Sequence, residues 1–111
     1  MKIGVRLSND VTILDAKGKI TIGAGDLALR EAVHQALNNG ASKILINLKE
    51  VTTVDSSGVG ELVSSFTTVT NRGGKLKLLH LPEKVADILQ ITQLITIFEV
   101  FEDEATALAS F

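Results

Sequence analysis

Apolar and polar residues alternate along the first part of the chain. The segments KIGVRL, residues 2–7, and VTILDAKGKITI, residues 11–22, both follow a period of two, which predicts half-buried β-strands. Ala16, Lys17 and Gly18 would supply a turn that divides the second segment into two strands. The chain is therefore expected to open with three strands and an antiparallel hairpin.

Beyond residue 25 the apolar period changes from two to that of a helix. Apolar residues recur three and four positions apart in several segments, each with a helix start signal such as Asp26 or Pro82. Short aliphatic segments lie between them, among them KILINL, which suits a central strand. The predicted helices cover residues 26–39, 58–72, 83–93 and 102–110, and the predicted strands between them cover 43–48, 75–81 and 96–101.

The predicted element order is β-β-β-α-β-α-β-α-β-α. Strands that alternate with helices imply parallel crossover connections, whereas the opening hairpin must be antiparallel. We therefore predict one α/β domain over residues 1–111, with a four- to five-stranded mixed sheet and about four helices. The residues predicted to be buried are Ile44, Ile46, Leu48, Val63, Phe66, Leu78, Leu89 and Phe98.

The composition of the chain and the motifs that it lacks argue against several classes of function. The chain has no cysteine and a net charge of −2, so thiol chemistry is absent and nucleic acid is not an expected partner. It contains no apolar run long enough for a membrane span and no apolar signal region at its start, so a soluble, cytoplasmic protein is expected. Nucleotide-binding glycine motifs are missing, and His34 and His80 have no partners at ligand spacing, so no cofactor or metal is predicted.

The segment Asp55-Ser56-Ser57-Gly58 stands between a predicted strand and a predicted helix. Asp and Ser are favoured N-cap residues, so the segment could simply start the helix. A serine at a helix N-terminus is also a place where an added phosphate would be tolerated, and the two interpretations are compatible. No Gly-x-Ser-x-Gly motif or positioned base accompanies these serines, so we do not expect an enzyme.

Two longer segments carry a family resemblance. INLKEVTTVDSSGVGELV, residues 46–63, and the segment from Gly73 to Leu108 resemble the STAS domain of bacterial anti-sigma factor antagonists. The resemblance implies a protein that binds an anti-sigma factor, itself a serine kinase, and so releases a sigma factor. It also implies that phosphorylation of Ser56, with Ser57 as the second candidate, switches the protein off, and that a phosphatase reverses this step.

The resemblance further suggests a partner-binding surface. It would combine the loop at residues 23–26, the turn at residues 55–60 and the exposed side of the helix that follows this turn, in a monomer or weak dimer. An alternative within the same family is a stressosome-type scaffold or nucleotide-sensing module without a phosphoserine switch. The residues predicted to bind the partner are Gly23, Gly25, Asp26, Asp55, Ser56, Ser57, Gly58, Val59 and Gly60.

Overall fold

The computed structural model describes all residues from 1 to 111, with five strands and four α-helices. A short 3₁₀ turn at Leu94–Ile97 follows the third helix. The four predicted helices are confirmed, with their ends shifted by a few residues. The elements are β1 (Lys2–Ser8), β2 (Val11–Ile20), α1 (Gly25–Asn38), β3 (Lys43–Val54), α2 (Ser56–Asn71), β4 (Lys75–Leu79), α3 (Glu83–Ile91), β5 (Val100–Phe101) and α4 (Glu104–Ala109).

The strands form one mixed sheet in the order β1-β2-β3-β4-β5. Strand β1 is antiparallel to β2, and every other neighbouring pair is parallel, as predicted for the fold class. Strands β2 and β3 end side by side, because Ile20 pairs with Val54. The connections to α1 and α2 therefore leave the sheet at the same edge.

The predicted turn at residues 16–18 is wrong. Strand β2 runs through this region, and its register with β3 shifts after Asp15 and again after Gly18. Gly18 adopts a φ of +110°, so the irregularity is absorbed as a bulge and the chain does not reverse. The reversal lies earlier, at Asn9 and Asp10, and the chain opens with two strands instead of three.

The predicted strand at residues 96–101 is mostly wrong as well. Gln93 takes a left-handed conformation after α3, and a 3₁₀ turn follows. Only Val100 and Phe101 pair with β4. Phe98 of this segment packs in the core instead. It is buried, and its ring meets the Phe66 ring edge-on with 5.4 Å between the ring centroids.

The main core lies between the sheet and helices α1, α2 and α3, and α4 covers a smaller cluster on the opposite face. Six of the eight residues predicted to be buried are buried. Val63 and Phe66 are only half-buried, and α2 buries Glu61 and Ser65 in addition to its apolar row. The burial of Glu61 and Ser65 is explained by the contact of α2 with α1, which is described below. No helix is both long and apolar enough to cross a membrane.

Candidate functional site

A single residue, Asp55, connects β3 to α2. Its backbone is extended, and one carboxylate oxygen accepts a hydrogen bond from the Gly58 N–H at 2.9 Å. This is the geometry of an N-cap, which satisfies one of the free N–H groups of the first helical turn. The capping interpretation of Asp55 is therefore confirmed.

The second carboxylate oxygen of Asp55 holds a different part of the chain. It accepts a hydrogen bond from the Ile22 N–H at 3.0 Å, in the loop that leads from β2 to α1. The N–H groups of Ile22 and then of Gly58 are the main causes that keep the pKa of Asp55 below its usual range. One ionised side chain thus links the turn at residues 55–60 to Ile22, the residue that directly precedes the predicted partner-binding loop at residues 23–26.

The two candidate serines differ in exposure. Ser56 is the first residue of α2 and is exposed, whereas Ser57 is partly buried. The sixteen-residue helix α2 directs its positive dipole end towards both. Of the two hydroxyl groups, that of Ser56 is the more accessible to another protein.

Glycines at both helix starts pack against the end of β2. A Cβ atom on Gly58 would overlap the carbonyl oxygen of Ile20, and one on Gly25 would overlap that of Lys19. Both glycines are buried, and so is Val59. These three residues support the predicted surface from beneath. Gly23 and Gly60 are exposed on it, and partner contact by any of these residues stays a prediction.

Asp26 does not cap α1 as predicted. The helix already begins at Gly25, after an N-cap residue, Ala24, that has no side-chain hydrogen bond. Asp26 therefore lies inside the first turn, and its carboxylate reaches back to the Gly23 N–H at 3.0 Å. The same carboxylate oxygen accepts a hydrogen bond from the Leu27 N–H at 2.8 Å, so Asp26 links the loop to the first turn of α1.

Two exposed apolar residues were missed by the sequence analysis. The side chain of Ile22 is 74% exposed in the loop, and Leu27 is partly exposed in the first turn of α1. We call the exposed residues of the loop 21–24, the first turn of α1 and the first turns of α2 the junction face. An isoleucine placed between a strand end and two glycines was the available signal, because neither neighbouring element can bury it.

An ion pair between an exposed arginine of α1 and a buried glutamate of α2 joins the two helices behind the junction face. Glu61 is 4% exposed, and one of its oxygens accepts a hydrogen bond from Arg30 Nε at 2.8 Å. The other oxygen accepts one from the Ser65 hydroxyl at 3.3 Å. Because a buried carboxylate needs such partners, α1 and α2 are fixed relative to each other.

The junction face has features that are typical of a binding surface. The structure contains no group of three or more histidine, cysteine or acidic side chains that could hold a metal ion. A concavity of about 490 Å³ lies between β1 and α1, and Ser56 is not among the residues that line it. What the junction face offers is an exposed hydroxyl, exposed apolar side chains and a rigid support.

Comparison with known proteins gives a consistent result. The STAS domain family model matches residues 2–107. The anti-sigma-B factor antagonist of Bacillus subtilis is 34% identical over 92 residues, which cover 83% of this chain and 82% of that protein. The crystal structure of the Thermotoga maritima protein TM1081 has a TM-score of 0.89 at 26% identity, covering 97% of this chain and 92% of that one.

More distant structures share the fold. The phosphorylated form of the Bacillus cell fate determinant SpoIIAA has a TM-score of 0.75 at 18% identity, and 98% of each chain is covered. At this identity the likeness concerns the fold alone. It shows that a domain of this architecture exists in a phosphorylated form.

Proposed function

Because the chain belongs to the STAS domain family, we propose that it acts as an anti-sigma factor antagonist, like the relatives that carry this name. Its junction face binds an anti-sigma factor and thereby releases the sigma factor. The protein works by binding and does not catalyse a reaction. It acts in the cytoplasm, where sigma factors act.

The double hydrogen bond of Asp55 is the observation that carries the proposal. It holds Ile22 and the first turn of α2 in one arrangement before any partner arrives. A preordered surface loses less conformational freedom on binding than a flexible one does. The exposed Ile22 side chain supplies the apolar contact, and the Ser56 hydroxyl lies in the neighbouring turn.

Phosphorylation of Ser56 is the proposed switch. A phosphate there adds about two negative charges at the positive end of α2, where the helix dipole offsets part of the charge by roughly 0.3–1 kcal/mol. The isolated fold therefore tolerates the modification. In the complex the dianion must lose its water, and the desolvation cost then opposes binding.

The anti-sigma factor is proposed to be the serine kinase as well. Its site would hold ATP and Mg²⁺, since this chain has no nucleotide-binding glycine motif. A phosphatase would restore the binding form. Ser57, the second candidate acceptor, is less exposed than Ser56 and would be modified more slowly.

The binding surface is tested by substituting exposed isoleucines. Ile22→Glu should weaken binding to the cognate anti-sigma factor at least tenfold, measured by calorimetry, because it places a charge in an apolar contact. Ile91→Glu is the matched control, since Ile91 is 82% exposed but lies at the end of α3. Equal affinities of the two variants would contradict the proposed surface.

A further inference from the structure

Strand β1 forms an open edge of the sheet. It has seven residues, contains no proline, and pairs only with β2. The other edge is short, since β5 has two residues. An edge strand presents unpaired backbone groups and invites pairing with another strand unless charge, proline or shortness prevents it.

The hairpin geometry identifies which backbone groups are free. Asn9 and Asp10 both have positive φ values, +49° and +63°, and form a two-residue turn between Ser8 and Val11. In such a turn the Ser8 carbonyl accepts the Val11 N–H, and hydrogen-bonded pairs then recur at every second residue. The register has no irregularity, so the residues that bond to β2 are Lys2, Gly4, Arg6 and Ser8. The residues whose N–H and C=O groups point outwards are Ile3, Val5 and Leu7.

The side chains of the outward-bonding residues form an apolar row. Val5 is 66% exposed and Leu7 is 76% exposed, and both line a groove of about 490 Å³ between β1 and α1. On the opposite face Arg6 is already engaged, because its guanidinium binds the carboxylates of Asp15 and Glu104. Ile3 packs against the main core, so the apolar face of the strand lacks a partner at Val5 and Leu7, whereas Arg6 on the charged face has partners.

We propose that β1 pairs antiparallel with β1 of a second copy of this chain, with Val5 opposite Val5. Ile3 then lies opposite Leu7 of the second copy, and the outward backbone groups form three hydrogen-bonded pairs, or about six bonds. The apolar rows of the two copies meet on one face of the extended sheet. Each copy covers apolar side chains that the other leaves exposed.

Repulsion between like charges disfavours the two neighbouring registers of the strand pair. Centring the pair on Gly4 would place Lys2 opposite Arg6, and centring it on Arg6 would place two guanidinium groups opposite each other. Like charges directly opposite destabilise strand pairs. The register centred on Val5 places Lys2 opposite Ser8 and Arg6 opposite Gly4, and no cations face each other.

The proposed dimer leaves the junction face free. Strand β2 and its copy run in opposite directions in the extended sheet, so their carboxyl ends lie at opposite ends of the dimer. The Ser56 turns follow the carboxyl ends of β3, which is parallel to β2. Each copy can therefore bind its own partner while the two remain paired.

Substituting Val5 by a residue of either charge tests the pairing of the two β1 strands. Sedimentation of the wild-type chain between about 10 μM and 1 mM should show a monomer–dimer equilibrium. Val5→Lys and Val5→Glu should each raise the dimer dissociation constant at least tenfold, and an equimolar mixture should form dimers again, because opposite charges then face each other. Ile91→Lys, at an exposed site elsewhere, should dimerise as the wild type does.

Three results would overturn the proposal: a wild-type chain that stays monomeric throughout, Val5 variants that dimerise normally, or a mixture that fails to dimerise. Amide exchange measured by NMR gives a second test and also reports folding. Raising the protein concentration should slow exchange at Ile3, Val5 and Leu7, and leave Gly4 and Arg6 unchanged. Equal slowing at all five amides, or none, would contradict the assigned edge.

Discussion

Two connections from a strand to a helix meet at the junction face, β2 to α1 and β3 to α2. They differ in length and in how the helix N-terminus is capped. Strand β2 reaches α1 through a loop of four residues, and no side chain caps the helix. Strand β3 reaches α2 through Asp55 alone, which caps the helix with its own carboxylate. Both helices place a buried glycine against the end of β2.

The difference shows how the long connection depends on the short one. The loop before α1 exposes the Ile22 side chain, and the Ile22 N–H donates a hydrogen bond to Asp55, at the other connection, which fixes the loop backbone. The direct connection thus positions Ser56 by itself, whereas the loop is positioned by contacts with the rest of the molecule. Substitutions at the start of α2 should therefore disturb both connections. Substitutions in the loop at residues 21–24 should disturb only the connection from β2 to α1.

The largest effect is expected from Gly58→Ala. The new methyl group would collide with the Ile20 carbonyl and the Val54 side chain, so the free energy of unfolding should fall by about 3 kcal/mol or more in urea denaturation. Gly60→Ala is the control, because its Cβ meets nothing within 4 Å and should stabilise the helix by about 0.5–1 kcal/mol. Similar stabilities of the two variants would refute the close packing of α2 on β2.

A smaller loss is expected from Arg30→Met, which tests the link between the two helices. Glu61 would stay buried with only the Ser65 hydroxyl as a partner, at a cost of about 1–3 kcal/mol. Arg72→Met, at an exposed residue that follows α2, should change unfolding by less than about 0.5 kcal/mol. Equal effects would mean that the Arg30–Glu61 pair does not hold α1 to α2.

Asp55→Asn should lower the melting temperature at neutral pH and should do so less in acid. The pKa of Asp55 is lower in the folded chain, so its stabilisation is fully present above the unfolded pKa of about 4 and is lost as the pH falls through the folded value. Calorimetry of both proteins between about pH 7 and pH 2.5 checks this. A difference in melting temperature that is constant over this range would show that the charge of Asp55 contributes nothing.

The smallest effect on stability is expected from Ser56→Ala. The side chain is exposed, and the N-cap is supplied by Asp55, so unfolding should change by less than about 0.5 kcal/mol. Urea denaturation measures this change. A larger loss would mean that Ser56 is needed for the fold, and its proposed role as a switch would then be weakened.

The sequence predicted what local pattern determines and missed what distant contacts determine. The helices and the cap at Asp55 follow from spacing and side-chain chemistry, and both are confirmed. The bulge at Gly18 was predicted as a turn, because glycine marks both and only pairing with β3 distinguishes them. The hydrogen bond from Ile22 to Asp55 joins residues far apart in the chain, and no local pattern indicates it.

The identity of the modified residue tests the central claim most directly. Wild type, Ser56→Ala, Ser57→Ala and the control Ser64→Ala, at an exposed serine further along α2, would be incubated with the cognate kinase and ATP. Phosphate would then be located by mass spectrometry. We expect phosphate on Ser56 in the wild type and in the other two variants, and none in Ser56→Ala. Incorporation into Ser56→Ala at the wild-type rate, or none into the wild type by an active kinase, would contradict the proposed switch.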